Sequence, residues 1–73
     1  MKFLCTKVKQ FWLTSPQNCE KVKGLGLTIK GSFIGIEVLD DKPSAEQYNK
    51  VNDAIEKLFG ENKKAFPIRL IEI

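Results

Sequence analysis

The segment from Leu25 to Val38, LGLTIKGSFIGIEV, limits the possible folds more than any other part of the chain. A two-residue turn at Gly31-Ser32, of the type II′ that wants glycine first, pairs Lys30 with Phe33, Ile29 with Ile34 and Thr28 with Gly35. The same register continues through Leu27 with Ile36, Gly26 with Glu37 and Leu25 with Val38. Leu25, Leu27, Ile29, Ile34, Ile36 and Val38 then share one face, leaving Gly26, Thr28, Lys30, Phe33, Gly35 and Glu37 on the other. Successive strand residues point to opposite faces, so a slip of one residue would scramble this partition. The spacing therefore predicts a hairpin with one apolar face, which needs a second layer to cover it.

The same glycines exclude a phosphate loop. A dinucleotide fingerprint needs a helix straight after its GxG, whereas GLGLTIK continues as strand. A Walker-type loop needs Gly-Lys-Ser/Thr, and this chain has Lys30-Gly31-Ser32. Glycine inside a strand marks close approach of something else. The candidates are a partner along the strip of Gly26 and Gly35, a β-bulge, or a local neighbour such as Phe3 or Phe11.

The covering layer is a helix. Ser44 is a good N-cap and Gln47, three residues on, completes a capping box. Tyr48, Val51, Ile55, Leu58 and Phe59 follow the spacing of a single apolar stripe. Glu46–Lys50 and Asp53–Lys57 are i,i+4 pairs with the acid first, the favoured order on an exposed face. Gly60 is the expected C-cap, so the helix runs from Ala45 to Phe59.

Two further strands complete the expected sheet. Lys2–Thr14 is rich in aromatic and β-branched residues, with Leu4, Val8 and Trp12 facing the core and Phe3, Lys7 and Lys9 facing away. Because Phe11 and Leu13 fall on the lysine face, a bulge is expected near Gln10 or Phe11, and SPQN (Ser15–Asn18) reads as a turn. Asp40-Asp41 before KPS reads as a turn into the helix cap rather than a cation site. Ala65–Ile73 reads as a final strand, with Phe66, Ile68 and Leu70 inward and Pro67 at the strand start or on an edge.

The expected fold is a two-layer α+β single domain over residues 1–73. Its mostly antiparallel four-stranded sheet, in the order β-β-β-α-β, carries one helix on one face. The opposite face is left to solvent or a partner. Strand order and oligomeric state do not follow from the pattern.

Composition narrows the chemistry. Residues 1–30 hold six lysines against one acid, Glu20, while residues 31–73 are net acidic within an overall charge of +3. The basic half suits nucleic acid or an acidic protein surface. No apolar run approaches the ~20 residues of a membrane helix, and MKFLCTKVK lacks the unbroken apolar core of a signal segment. The chain reads as cytoplasmic, and Cys5 and Cys19 as two free thiols.

There is no histidine, so the commonest general base and metal ligand is missing. Two cysteines cannot fill a four-coordinate zinc site by themselves. Neither cysteine has a neighbour that would activate a nucleophile. No catalytic residue, metal or cofactor is expected, and a domain this small leaves little volume for a pocket of ~300 Å³.

The reading is a non-enzymatic protein-binding module, a regulator or inhibitor that occupies the surface of a larger protein, the way of working of phage host-takeover proteins. The expected partner-binding residues are Lys7, Lys9, Gly26, Thr28, Lys30, Phe33 and Gly35. The alternative is a nucleic-acid binder using a basic open sheet face, with base stacking on Phe33 or Phe11.

Overall fold

The computed structural model describes residues 1–39 and 41–72. Asp40, half of the expected Asp40-Asp41 turn, and Ile73, the last residue of the expected final strand, lie outside the described residues. Strand β1 spans Lys2–Lys7, helix α1 Pro16–Gly24, β2 Thr28–Lys30, β3 Phe33–Val38, α2 Ala45–Phe59 and β4 Arg69–Glu72. Short 3-10 turns cover Gln10–Thr14 and Gly60–Ala65.

The four strands form one sheet in the order β2-β3-β1-β4, every neighbouring pair antiparallel. The two-layer α+β architecture thus holds, with one helix more than the sequence pattern shows. The element order is β-α-β-β-α-β. β1 and β2 run parallel with β3 between them, and β3 and β4 run parallel with β1 between them, the split β-α-β (ferredoxin-like) plan.

The hairpin turns at Gly31-Ser32 as expected, with Lys30 opposite Phe33, Ile29 opposite Ile34 and Thr28 opposite Gly35. Gly31 has φ 60° and Ser32 a negative φ, which is the type II′ signature. The first hairpin strand is shorter than expected, because Leu25–Leu27 closes helix α1 instead. Leu27 N–H donates to the Val22 carbonyl (3.1 Å) and Gly26 N–H to the Lys23 carbonyl (3.0 Å), a Schellman motif. Gly26 supplies its left-handed residue at φ 81°, and the motif's apolar contact, Val22 with Leu27, lies in the core.

Helix α1 replaces the expected SPQN turn. Pro16 occupies its first turn, where a missing N–H costs nothing. The first strand also ends early, at Lys7, and no bulge forms at Gln10 or Phe11. Trp12 and Leu13 are adjacent and both pack against the core. Neighbours on a strand cannot share a face, whereas a tight turn, held by Trp12 N–H on the Lys9 carbonyl (2.9 Å), lets both do so.

Helix α2 has its expected bounds, and both capping-box hydrogen bonds are present. Gln47 N–H donates to Ser44 Oγ (3.1 Å) and Ser44 N–H to Gln47 Oε1 (2.9 Å). Among the described residues neither Glu46–Lys50 nor Asp53–Lys57 forms an ion pair, and Glu56 pairs with Lys63 at 3.9 Å instead.

The core lies between the two helices and one sheet face. Val22 of α1 and Val51, Ala54 and Ile55 of α2 meet Leu4, Val8, Leu27, Ile34 and Val38. Tyr48, expected in this layer, is instead 45% exposed at the start of α2. The C-terminal half adds a stack of rings: Phe66 lies 3.8 Å from Phe59, centroid to centroid, and Phe59 lies 5.3 Å from Trp12.

Candidate partner-binding surface

Both helices pack on the same sheet face, so among the described residues the other face carries no helix. Cross-strand pairing arranges its side chains in three rows. Lys30, Phe33 and Lys7 form the first, across β2, β3 and β1. Thr28, Gly35, Cys5 and Arg69 form the second, and Glu37, Phe3 and Ile71 the third.

The centre of this face is not bare. Phe3 and Cys5 are fully buried although no helix covers them. Lys30 reaches past the Gly35 row to bind Glu37 at 2.8 Å, with its ammonium 5.7 Å from the Phe3 ring centroid. Burial pushes the Cys5 thiol up to about 11, with Arg69, its neighbour on β4, pulling the other way. Cys19 is also a free thiol and donates to the Leu13 carbonyl at 3.1 Å.

Gly35 is explained by close approach of the chain's own backbone. A β-carbon placed on it would meet the Leu4 carbonyl oxygen and lie 2.6 Å from Cys5 Cα. Of the local neighbours expected over the glycine strip, Phe3 lies on β1 in the row next to Gly35, whereas Phe11 lies in the Gln10–Thr14 turn and is exposed.

A cleft of about 420 Å³ opens at one end of the face, lined by Lys7, Val8, Lys9, Trp12, Ala65, Phe66, Pro67 and Arg69. This exceeds the volume expected for so small a domain. Its origin is local. The β1–β4 ladder ends at the Cys5–Arg69 pair, and in the continued register Pro67 would stand opposite Lys7, where it has no N–H to donate. The two chains separate there. Val8 N–H donates to the Ser32 carbonyl on the β3 side at 2.8 Å, so by antiparallel alternation the Lys7 N–H and C=O face the β4 side, toward the gap.

Trp12 and Phe66 form the half-buried apolar wall of this cleft, and Lys7, Lys9 and Arg69 are exposed on its rim. Among the described residues no carboxylate pairs with any of these three cations. A second hollow of about 610 Å³, between α2 and residues 60–68, is walled by Tyr48, Asn52, Lys63 and Phe66, among others.

Six of the seven sequence-derived positions fall on or beside this surface. Thr28, Lys30, Phe33, Gly35 and Lys7 lie on the helix-free face, and Lys9 lines the cleft at its end. Gly26 stands apart: it caps α1, and a β-carbon there would touch Lys50 of α2 at 3.3 Å. Sequence reasoning missed Arg69, Trp12 and Phe66 as one cluster. Pro67 was the available signal, since a proline beside a strand end announces a break in pairing.

Among the described residues no three metal-ligating side chains gather, and no helix is long and apolar enough to cross a membrane. Comparison with protein-family models, with curated proteins and with solved structures finds no match to this chain.

Proposed function

We propose that this protein is a cytoplasmic, non-enzymatic binding module that acts as a regulator or inhibitor by seating its helix-free sheet face on a larger protein. The observation that carries this reading is the construction of that face. Buried Phe3 and Cys5 anchor it from within, while Lys7, Thr28, Glu37 and Arg69 remain exposed around half-buried Phe33 and Ile71. A surface held from below loses little conformational freedom on binding, which favours association. Exposed polar and charged side chains interspersed with half-buried apolar ones are ordinary interface anatomy. The split β-α-β plan adds nothing to this reading, since the same fold hosts unrelated functions.

The test is affinity capture of the partner with wild type and with a Phe33→Ala/Thr28→Arg variant shown to be folded by circular dichroism. Loss of the partner with the variant supports the reading; capture undiminished by both changes removes this face as the interface.

One observation favours a second reading, nucleic-acid binding. Phe33 stands between Lys30 and Lys7 in a single cross-strand row, the arrangement of a stacking ring flanked by phosphate contacts. Lys30 is engaged with Glu37, which weakens that arrangement. Oligonucleotide binding that falls steeply between ~50 and ~200 mM salt would support it, and no binding at the lower salt would remove it.

A further inference from the structure

We infer that the cleft between the end of β1 and residues 65–69 is the anchoring point for an acidic, extended segment of a partner protein that carries an apolar side chain. This rests on the protein-binding reading and names the part of the partner recognised.

Charge is the first argument. Lys7, Lys9 and Arg69 converge on one rim, and no acid answers them among the described residues. The described acids that do pair are occupied elsewhere, Glu72 with Lys2, Glu37 with Lys30 and Glu56 with Lys63. Three cations with no counter-charge among the described residues, around a mainly apolar hollow, are complementary to carboxylates flanking an apolar residue.

Backbone geometry is the second argument. The Lys7 peptide groups lie on the side where β4 no longer pairs, next to a proline that cannot donate. An extended segment brings its own N–H and C=O groups to such an edge, and its alternate side chains reach the floor and the rim.

The walls argue for a side chain rather than a run of bases. Phe66 is stacked on Phe59 at 3.8 Å and Trp12 leans on the same ring, so both are positioned in advance, with one face of Phe66 already covered. A hollow of about 420 Å³ takes one or two peptide side chains and is not a track for successive nucleotides.

Trp12 is the only tryptophan and lines the cleft, so its emission reports occupancy. The probe is the peptide acetyl-Asp-Glu-Leu-Phe-Asp-Glu-amide at ~50 mM salt, where screening is weak. It is compared with its Asn/Gln counterpart, with a form having Gly-Gly in place of Leu-Phe, and with a short oligothymidylate. Amide shifts of Lys7 and Arg69 in nuclear magnetic resonance give a second readout. The expected result is sub-millimolar binding of the acidic peptide, at least about tenfold tighter than either counterpart, and reduced at least about tenfold in Lys7→Glu/Arg69→Glu.

Equal binding of the neutral peptide overturns the inference, as does oligothymidylate binding without peptide binding, or no response in either readout at a few millimolar peptide. If Lys7→Glu/Arg69→Glu still captures the partner and Phe33→Ala/Thr28→Arg does not, the cleft inference fails while the module reading stands. If neither variant loses the partner, both fail.

Discussion

The Lys30 ammonium stands 5.7 Å from the centroid of the Phe3 ring, and that ring is fully buried on a sheet face that no helix covers. Lys30 is thus cover as well as charge: its methylene stem shields apolar surface while the head binds Glu37. Both side chains of that pair are about two-fifths exposed, so the ion pair is worth little by itself. Lys30→Ala should cost about 1 kcal/mol, from lost cover together with the cation–π contact. Lys30→Met keeps the stem and should cost less than half as much. Urea denaturation of the two variants separates the contributions, and equal losses would refute the covering role.

Gly35→Ala should be among the most damaging single changes in the chain. The added carbon would meet the Leu4 carbonyl and the Cys5 backbone, atoms that no rotamer change can move aside. Relief requires β1 and β3 to separate, and these two strands form the centre of the sheet. A loss of about 3 kcal/mol or more is expected, on the scale of overpacking and backbone strain. A melting temperature within a few degrees of wild type would show that the strands yield more easily than this.

Thr6 is fully buried, and its hydroxyl has no hydrogen-bond partner among the described residues. Its β1 position, opposite Ile34, points it into the core, where an unsatisfied hydroxyl costs about 1–3 kcal/mol. Thr6→Val keeps the β-branched shape and removes that cost. Chemical denaturation should show a gain of about 1 kcal/mol, and a loss would mean that the hydroxyl is satisfied in solution.

The buried Cys5 thiol ties stability to alkaline pH. Its folded value, about 11, lies above the ordinary 9.0. The folded state therefore holds this proton longer than the unfolded chain does. The contribution is intact below pH 9 and is lost as pH rises from 9 through 11. The measurement is a comparison with a variant that lacks the thiol: between pH 9 and 11 wild type should lose more melting temperature than Cys5→Ala. Parallel curves would refute it. In the folded state at pH 8, a thiol reagent should modify the half-buried Cys19 well before Cys5.

What the sequence disclosed, and what it did not, follows from how many independent constraints met at each residue. The Gly31-Ser32 hairpin satisfies turn chemistry and face alternation together, and helix α2 satisfies a capping box and an apolar stripe. Both appear in the structure with the expected register or bounds. Helix α1 buries one residue fully, Val22, so its stripe is too thin to see. Its start, Ser15-Pro16, reads equally as a turn or as an N-terminus. The cleft was half legible. Lys7 and Lys9 stand out as cations on the outer face of the expected first strand, but Arg69 lies some sixty residues away and joins them only through the β1–β4 register. Phe3 was placed on the correct face, yet its burial depends on how far Lys30 reaches, which no periodicity encodes.

The end of α1 provides a test in which two neighbouring glycines respond in opposite directions. Gly24 lies in the last turn of the helix with open space around it, and its φ is not in the left-handed region. Gly24→Ala should stabilise the protein by about 0.5–1 kcal/mol, through helix propensity and a less flexible unfolded chain. Gly26 carries the Schellman cap at φ 81°, and an added carbon would press on the Lys50 side chain at 3.3 Å. Lys50 is exposed and can swing away, so the backbone conformation sets the cost, and Gly26→Ala should lose about 1–2 kcal/mol. Thermal denaturation of the two variants side by side reads the sign of each. If both destabilise, residue 24 does not end a helix; if both are neutral, Leu27 does not depend on the cap for its place in the core.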